Sequence, residues 1–248
     1  MKKICILIAV LCAAFEIRAK ENEMNRLIIT ETAKYNSLDP LDADKTINLP
    51  VARMLYLTPL QITKDNDLAS SVLESFSFDE KTKTIYWKVK SGLKYSDASE
   101  ITADDVAFSV TRMAHKRPKF PVVESIEGLD SWLKQKVPLR TFPSGIKVSG
   151  NIITIKLNHK YPTPLFRFCL ELFSIIPKKC VNLETSQITC AKIPTSGFYK
   201  IASESESSVE FERSHLERDN FNGPEKIKFE YWPMVSVESR LNEIDENT

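Results

Sequence analysis

Three histidines, His115, His159 and His215, are the first candidates for metal binding or acid–base work. They stand in three unrelated contexts, and none belongs to a His-Glu-x-x-His pattern. Ser, His and Asp side chains are all present, so a secreted hydrolase is the enzyme class to weigh. No Gly-x-Ser-x-Gly elbow occurs to present a nucleophile. His115 falls at the end of a helical pattern, where a partly charged imidazole suits the helix dipole. The paired acids Asp104 and Asp105 resemble a metal or acid–base pair, but neighbours on a helix point in different directions. Helix capping accounts for them better. These residues argue for no catalytic role, no metal and no cofactor.

Five cysteines are present, of which Cys5 and Cys12 lie at the extreme N-terminus. Cys180 and Cys190 flank a polar loop, and in an oxidising compartment a local disulfide between them is expected. Cys169 sits in the apolar run Leu165 to Ile176 and is expected to pack as a small buried hydrophobe, leaving one free thiol. A metal site is the weaker reading of this set, because no histidine has ligand spacing to it.

The elements that must position these residues follow from periodicity. Ile85, Trp87 and Val89 alternate with Tyr86, Lys88 and Lys90, which predicts a strand. Leu73 to Phe78 pairs with it across the turn Asp79-Glu80-Lys81-Thr82. Ser91-Gly92 breaks the strand. Thr102 is the N-cap of a helix to about Ala114, with Asp104 and Asp105 in its first turn and Val106, Val110 and Met113 as its apolar stripe. Arg26 to Thr30 reads as a first strand, Ile47 to Leu57 carries helical spacing, and Leu60 to Ile62 is a short strand. Val122 to Lys136 is helical in part. Gly145 to Val148 and Ile152 to Leu157 form a second hairpin. Pro162-Thr163-Pro164 opens an apolar helix ending near Phe173. Gly197 to Ile201, Val209 to Glu212 and Ile227 to Tyr231 read as strands, and a helix begins after Val237. The fold class is α/β of the mixed α+β kind.

The N-terminus has the pattern of a secretory signal over residues 1–19. Lys2-Lys3 precedes the apolar run Ile4 to Phe15, which is short for a membrane span. Cleavage fits after Ala14 or Ala19. A lipoprotein would be acylated at Cys12, where the preceding Leu11 is too large for that pattern. Glu16 and Arg18 argue against a retained anchor. The expected compartment is the periplasm or the cell exterior. A net charge of +1 gives no electrostatic case for nucleic acid or an anionic membrane.

The wording of the stretch Leu68 to Arg112 resembles a segment of the family 5 extracellular solute-binding proteins, the peptide and nickel receptors of bacterial ABC importers. Four further segments resemble the family in the same order. Ser37-Leu38-Asp39-Pro40 is similar to its leucine-aspartate-proline signature. Ile146 to Leu157 is similar to its second hairpin, and Thr195 to Lys200 to its threonine-glycine-proline-tyrosine turn. Phe211 to Phe229 is similar to its arginine-rich strand and the strand that follows. Two positions depart from the pattern. Ala98 stands where the family has glycine, which takes a positive φ freely, and Phe198 replaces a proline.

The resemblance implies a periplasmic-binding-protein type II-like fold. Residues 24–49 and 159–248 would form an incomplete first lobe, residues 50–158 an inserted small domain, and the second lobe would lie beyond Thr248. It implies a solute-binding component of a peptide-type ABC transporter, with a peptide or other small solute and an inner-membrane ABC permease complex as partners. Ligand contacts of the first lobe map to Asp44 and Thr46, and those of the insert to Phe120 and Val122. Asp44 would accept a hydrogen bond from a peptide amine, and Phe120 would offer apolar area. The competing reading makes Asp44 a solvated loop acid and Phe120 core. For the whole chain, the alternative is a non-transport remnant or a one-lobe interaction module.

Overall fold

The computed structural model describes residues 25–43, 46–159, 161, 163–214 and 223–232. The expected export signal and the helix after Val237 lie outside them. In chain order the strands are β1 (Arg26–Glu31), β2 (Gln61–Ile62), β3 (Leu68–Ala69), β4 (Leu73–Asp79), β5 (Thr84–Val89), β6 (Ile146–Ser149), β7 (Ile152–Lys156), β8 (Tyr199–Glu204), β9 (Ser208–Arg213) and β10 (Lys226–Tyr231). The helices are α1 (Leu49–Leu55), α2 (Ala103–Lys116), α3 (Pro121–Glu124) and α4 (Leu129–Leu133).

The chain divides into two compact units, one of residues 35–200 with 214–219, the other of residues 1–34, 201–213 and 220–248. The expected insert, Pro50 to Asn158, lies wholly inside the first of these.

Two antiparallel hairpins build the main sheet of the larger unit, in the order β4-β5-β7-β6. Register pairs Trp87 with Phe76 and with Ile153. The alternation seen in the sequence is the alternation of burial: Ile85, Trp87, Val89, Ile153 and Ile155 are buried, while Tyr86 and Ile152 face solvent. Trp87 meets Phe168 edge-on at 4.8 Å, Phe168 meets Phe173 at 4.9 Å, and Phe173 meets Phe120 at 5.8 Å. This aromatic line carries the core from the sheet to the turn before α3, and each such pair adds about 0.5–1.5 kcal/mol to the area buried.

Helix α2 is the long helix of this unit. Thr102 Oγ1 accepts from the Asp105 N–H at 3.2 Å, and the Asp105 carboxylate accepts from the Thr102 N–H at 3.2 Å. Two orphan donors of the first turn are thereby satisfied reciprocally. Val106, Ala107, Phe108, Val110, Met113 and Ala114 are fully buried.

Two sequence expectations need correction. The stretch opened by Thr163 is not one α-helix but two 3-10 segments, Pro164–Cys169 and Glu171–Phe173. Leu170 between them is extended, with φ −77° and ψ 141°, so no run of i to i−4 bonds can form. Cys169 is half-buried rather than buried. Burial, then the neighbouring Glu171 charge, push its thiol up to about 11. Ala98 does adopt the positive φ that the family's glycine would take freely, at +66°.

The smaller unit holds a sheet in the order β1-β10-β9-β8. Strand β1 runs parallel to β10, from Arg26 against Lys226 to Glu31 against Tyr231. Phe211 and Phe229 pack edge-on at 5.1 Å on one face with Val209 and Ile227. Leu27 and Ile28 on β1 are exposed. Among the described residues no helix is long and apolar enough to cross a membrane.

Candidate ligand-contact site

The loop after β1 begins Asn36-Ser37-Leu38-Asp39-Pro40 and ends at Asn48. Asp39 caps a 3-10 turn, Pro40–Asp42, its Oδ1 accepting from the Leu41 N–H at 3.0 Å. Proline at the first position of the turn has no N–H to satisfy and a preset φ. Ser37 Oγ accepts from the Asp39 N–H at 3.1 Å. Local chemistry therefore shapes the start of the loop.

Asn48, at 1% exposure, closes it. Its Oδ1 accepts from the N–H groups of Asn36 (3.0 Å) and Ser37 (3.3 Å), and its Nδ2 donates to Asn36 Oδ1 and the Asp42 carbonyl, both at 3.1 Å. One amide side chain thus uses all four of its hydrogen-bonding positions to join the two ends of the loop.

Three further side chains tie the loop to the body of the unit. The Tyr56 hydroxyl donates to the Leu38 carbonyl at 2.9 Å. Burial, then the Asp39 charge, raise its pKa well above the ordinary tyrosine value, so it stays a neutral donor. Arg117 Nη2 donates to the Leu41 carbonyl at 3.0 Å. Arg112, on the buried face of α2, grips Asp39 with both arms of its fork, Nη1 to Oδ1 at 2.8 Å and Nη2 to Oδ2 at 2.5 Å. The guanidinium is 2% exposed. A buried charge of this kind needs both a counter-ion and saturated donors. The remaining acceptor is the Ser186 carbonyl, 3.1 Å from Nε and 2.7 Å from Nη2.

Ser186 belongs to the loop closed by Cys180 and Cys190, which are joined as a disulfide with Cα atoms 5.0 Å apart. The loop has its own ladder: the Asn182 N–H donates to the Gln187 carbonyl, Ser186 to Asn182, and Thr189 to Cys180, at 2.8–2.9 Å.

The expected contact residues distribute as follows. Asp44 lies outside the described residues. Thr46 is exposed within the clamped loop. Phe120 is half-buried and stands at the N-terminal end of α3, and Val122, two residues on, is fully buried. Arg117 links the two regions, since its carbonyl accepts from the Phe120 N–H at 3.0 Å while its side chain holds Leu41. Two surface pockets of the larger unit, of about 300 and 220 Å³, are lined by other residues.

The acids at the start of α2 are engaged structurally. Asp105 Oδ1 accepts from the Lys178 N–H at 2.9 Å, and Lys178 Nζ pairs with Asp104 at 3.0 Å. His115 differs from its sequence reading. Burial, then the Lys116 and Arg112 charges, lower its pKa, and its Nδ1 is buried with no hydrogen-bond partner among the described residues. Dipole stabilisation of a charged imidazole loses to burial and like charge. Among the described residues no three His, Cys, Asp or Glu side chains are grouped to hold a metal.

Sequence reading missed Arg112, Asn48 and Arg117. One sign of Arg112 was available: it follows Phe108 by four residues and Ser109 by three, on the apolar side of the helix, where an arginine requires a partner. The arrangement pairs no nucleophile with a base. It ties a largely buried loop to the body of the unit, with Asn36 and Thr46 exposed among its described residues.

The model of the bacterial extracellular solute-binding proteins, family 5 Middle, matches residues 67–240. The glutathione-binding protein GsiB of Escherichia coli O1:K1 is 26% identical over 102 residues, spanning 41% of this chain and 19% of that one. Among solved structures, OppA of Haemophilus influenzae in complex with RPPGFSPFR aligns with a TM-score of 0.70 and 17% identity, over 89% of this chain and 45% of that one. The pheromone receptor PrgZ aligns with a TM-score of 0.73 and 15% identity, over 89% of this chain and 46% of that one. The chain thus has the fold of part of a type II periplasmic binding protein and spans under half the length of these neighbours.

Proposed function

The chain belongs to family 5 of the bacterial extracellular solute-binding proteins, and from that premise we propose that it is an exported solute-binding component of a peptide-type ABC importer, taking a peptide or similar small solute and delivering it to an inner-membrane permease. The observation that carries this reading is the clamped loop 36–48 on a solute-binding-protein fold. Of the contact residues we propose, Thr46 is exposed within that loop, Phe120 is half-buried and Val122 is fully buried; Asp44 is carried over from the family resemblance alone. The similar proteins named above bind glutathione or peptides, which favours a solute with amide and charged groups. Closure of two lobes around a ligand is what excludes water in such a receptor.

Calorimetry and amide NMR with a pool of di- to pentapeptides and reduced glutathione test the proposal. The expected result is a saturable shift of the Thr46 and Phe120 amides. No shift at either amide refutes solute capture and favours the interaction-module alternative.

A further inference from the structure

We infer that the disulfide-closed loop 180–190 and Arg112 form a remote support for the contact loop, with Arg112 as a positioning residue that transmits the rigidity of one loop to the other. This rests on the reading of loop 36–48 as a ligand-contact element.

The connection is made of single, specified bonds. The Cys180–Cys190 bridge and the ladder within it fix the backbone at Ser186. Ser186 is held at φ +63°, a left-handed conformation that a residue with a Cβ adopts only when its surroundings impose it. Its hydroxyl is buried with no hydrogen-bond partner among the described residues, so the side chain is not what the position provides. The carbonyl is: it takes two hydrogen bonds from Arg112. The other half of the fork holds Asp39, whose Oδ1 in turn caps the turn leading to Thr46. Arg112 reaches Asp39 across 73 residues of sequence and Ser186 across 74, so neither loop can set this geometry by local preference.

The balance of charge makes the support two-sided. With only Asp39, the guanidinium would be buried with donors unmet, and with only Ser186 it would be buried without a counter-ion. Loss of the Ser186 carbonyl therefore loosens Arg112 and, through it, the cap of the 3-10 turn.

Hydrogen exchange by mass spectrometry on the full chain tests this, following peptides that cover residues 36–48, the β5 and β7 strands, and the disulfide loop. The variants are the pair Cys180→Ser with Cys190→Ser, Arg112→Met, and Ser186→Gly. Removing the bridge should speed exchange in 36–48 by about tenfold, as expected for a weakened charged hydrogen bond, with β5 and β7 unchanged. Arg112→Met should do the same or more. Ser186→Gly keeps the carbonyl and relieves the backbone, so 36–48 should stay protected. Faster exchange confined to 180–190, or equal acceleration everywhere including β5 and β7, overturns the inference. If Arg112→Met does not fold, the cysteine pair and Ser186→Gly decide it alone. Absence of peptide or glutathione binding by the parent chain sinks the ligand reading and leaves the exchange result to judge the support.

Discussion

Replacing Gly197 by alanine tests how closely the turn at residues 195–199 must approach α1. A Cβ built at Gly197 would lie 2.5 Å from the carbonyl carbon of Leu55, 2.6 Å from the Met54 oxygen and 2.7 Å from the Leu55 oxygen. All three are backbone atoms, so no side-chain rotation relieves the clash. The turn cannot simply back away. The Gly197 N–H donates to the Leu55 carbonyl at 2.7 Å, and Ser196 Oγ accepts from the Leu57 N–H at 3.0 Å while donating to the Ile175 carbonyl at 2.6 Å. Overpacking costs roughly 1–3 kcal/mol, and losing the backbone bond about 1 more. A total near 3 kcal/mol lowers the melting temperature of a chain of this size by about 6–12 °C. Differential scanning calorimetry reads the shift. Gly150→Ala is the control: φ is +59° but no atom lies within 4 Å of the new Cβ, so only backbone strain of about 1–2 kcal/mol applies. A Gly197→Ala loss no larger than that of Gly150→Ala refutes the packing argument.

Three other substitutions or probes have definite outcomes. Protonation of His115 opposes folding because its folded pKa lies below the unfolded value. Its contribution is therefore full above about pH 6.5 and lost as pH falls toward the folded pKa. His115→Leu should flatten the decline of urea midpoint below pH 6.5, and an unchanged slope would exclude His115 as its source. With its thiol pushed up to about 11, Cys169 should react with iodoacetamide at pH 8 about a hundredfold more slowly than a free cysteine, and alkylation at the ordinary rate would contradict that environment. Ala98→Gly should raise stability by roughly 0.5–1 kcal/mol through relief of the positive φ; a lower melting temperature would mean that the Ala98 side chain makes a contact worth more than the strain.

What could be read from the residues was what local periodicity and capping determine. The alternation in Thr84–Val89 appears directly as buried and exposed faces of β5, because a strand's period is two whatever it packs against. Thr102 reads as an N-cap, and it caps the helix, with Asp105, which the sequence reading assigns only to the dipole, completing a capping box. The stretch Pro164 to Phe173 was apolar enough for a helix, but turn-by-turn docking of Pro164, Phe168 and Phe173 into the core favoured 3-10 geometry. The loop clamp was the least legible part. Arg112 reads as an ordinary cation near a helix end until Asp39 and Ser186 are brought to it from opposite directions. Asn48 had no local mark at all, since its four bonds go to residues 6 to 12 positions away.

The parallel pairing of β1 with β10 also dictates an order of assembly. Arg26 finds its register partner only at Lys226, so the smaller sheet cannot close until synthesis has passed β10. The larger unit is almost contiguous, from residue 35 to residue 200, and its hairpins are complete long before then. Local closures precede distant ones because they forfeit less chain entropy. Synthesis from the N-terminus therefore leaves β1, with Leu27 and Ile28 uncovered, waiting as an unpaired apolar segment while the larger unit folds. That interval is when the nascent protein is most exposed to aggregation, and when a holding chaperone would find its target.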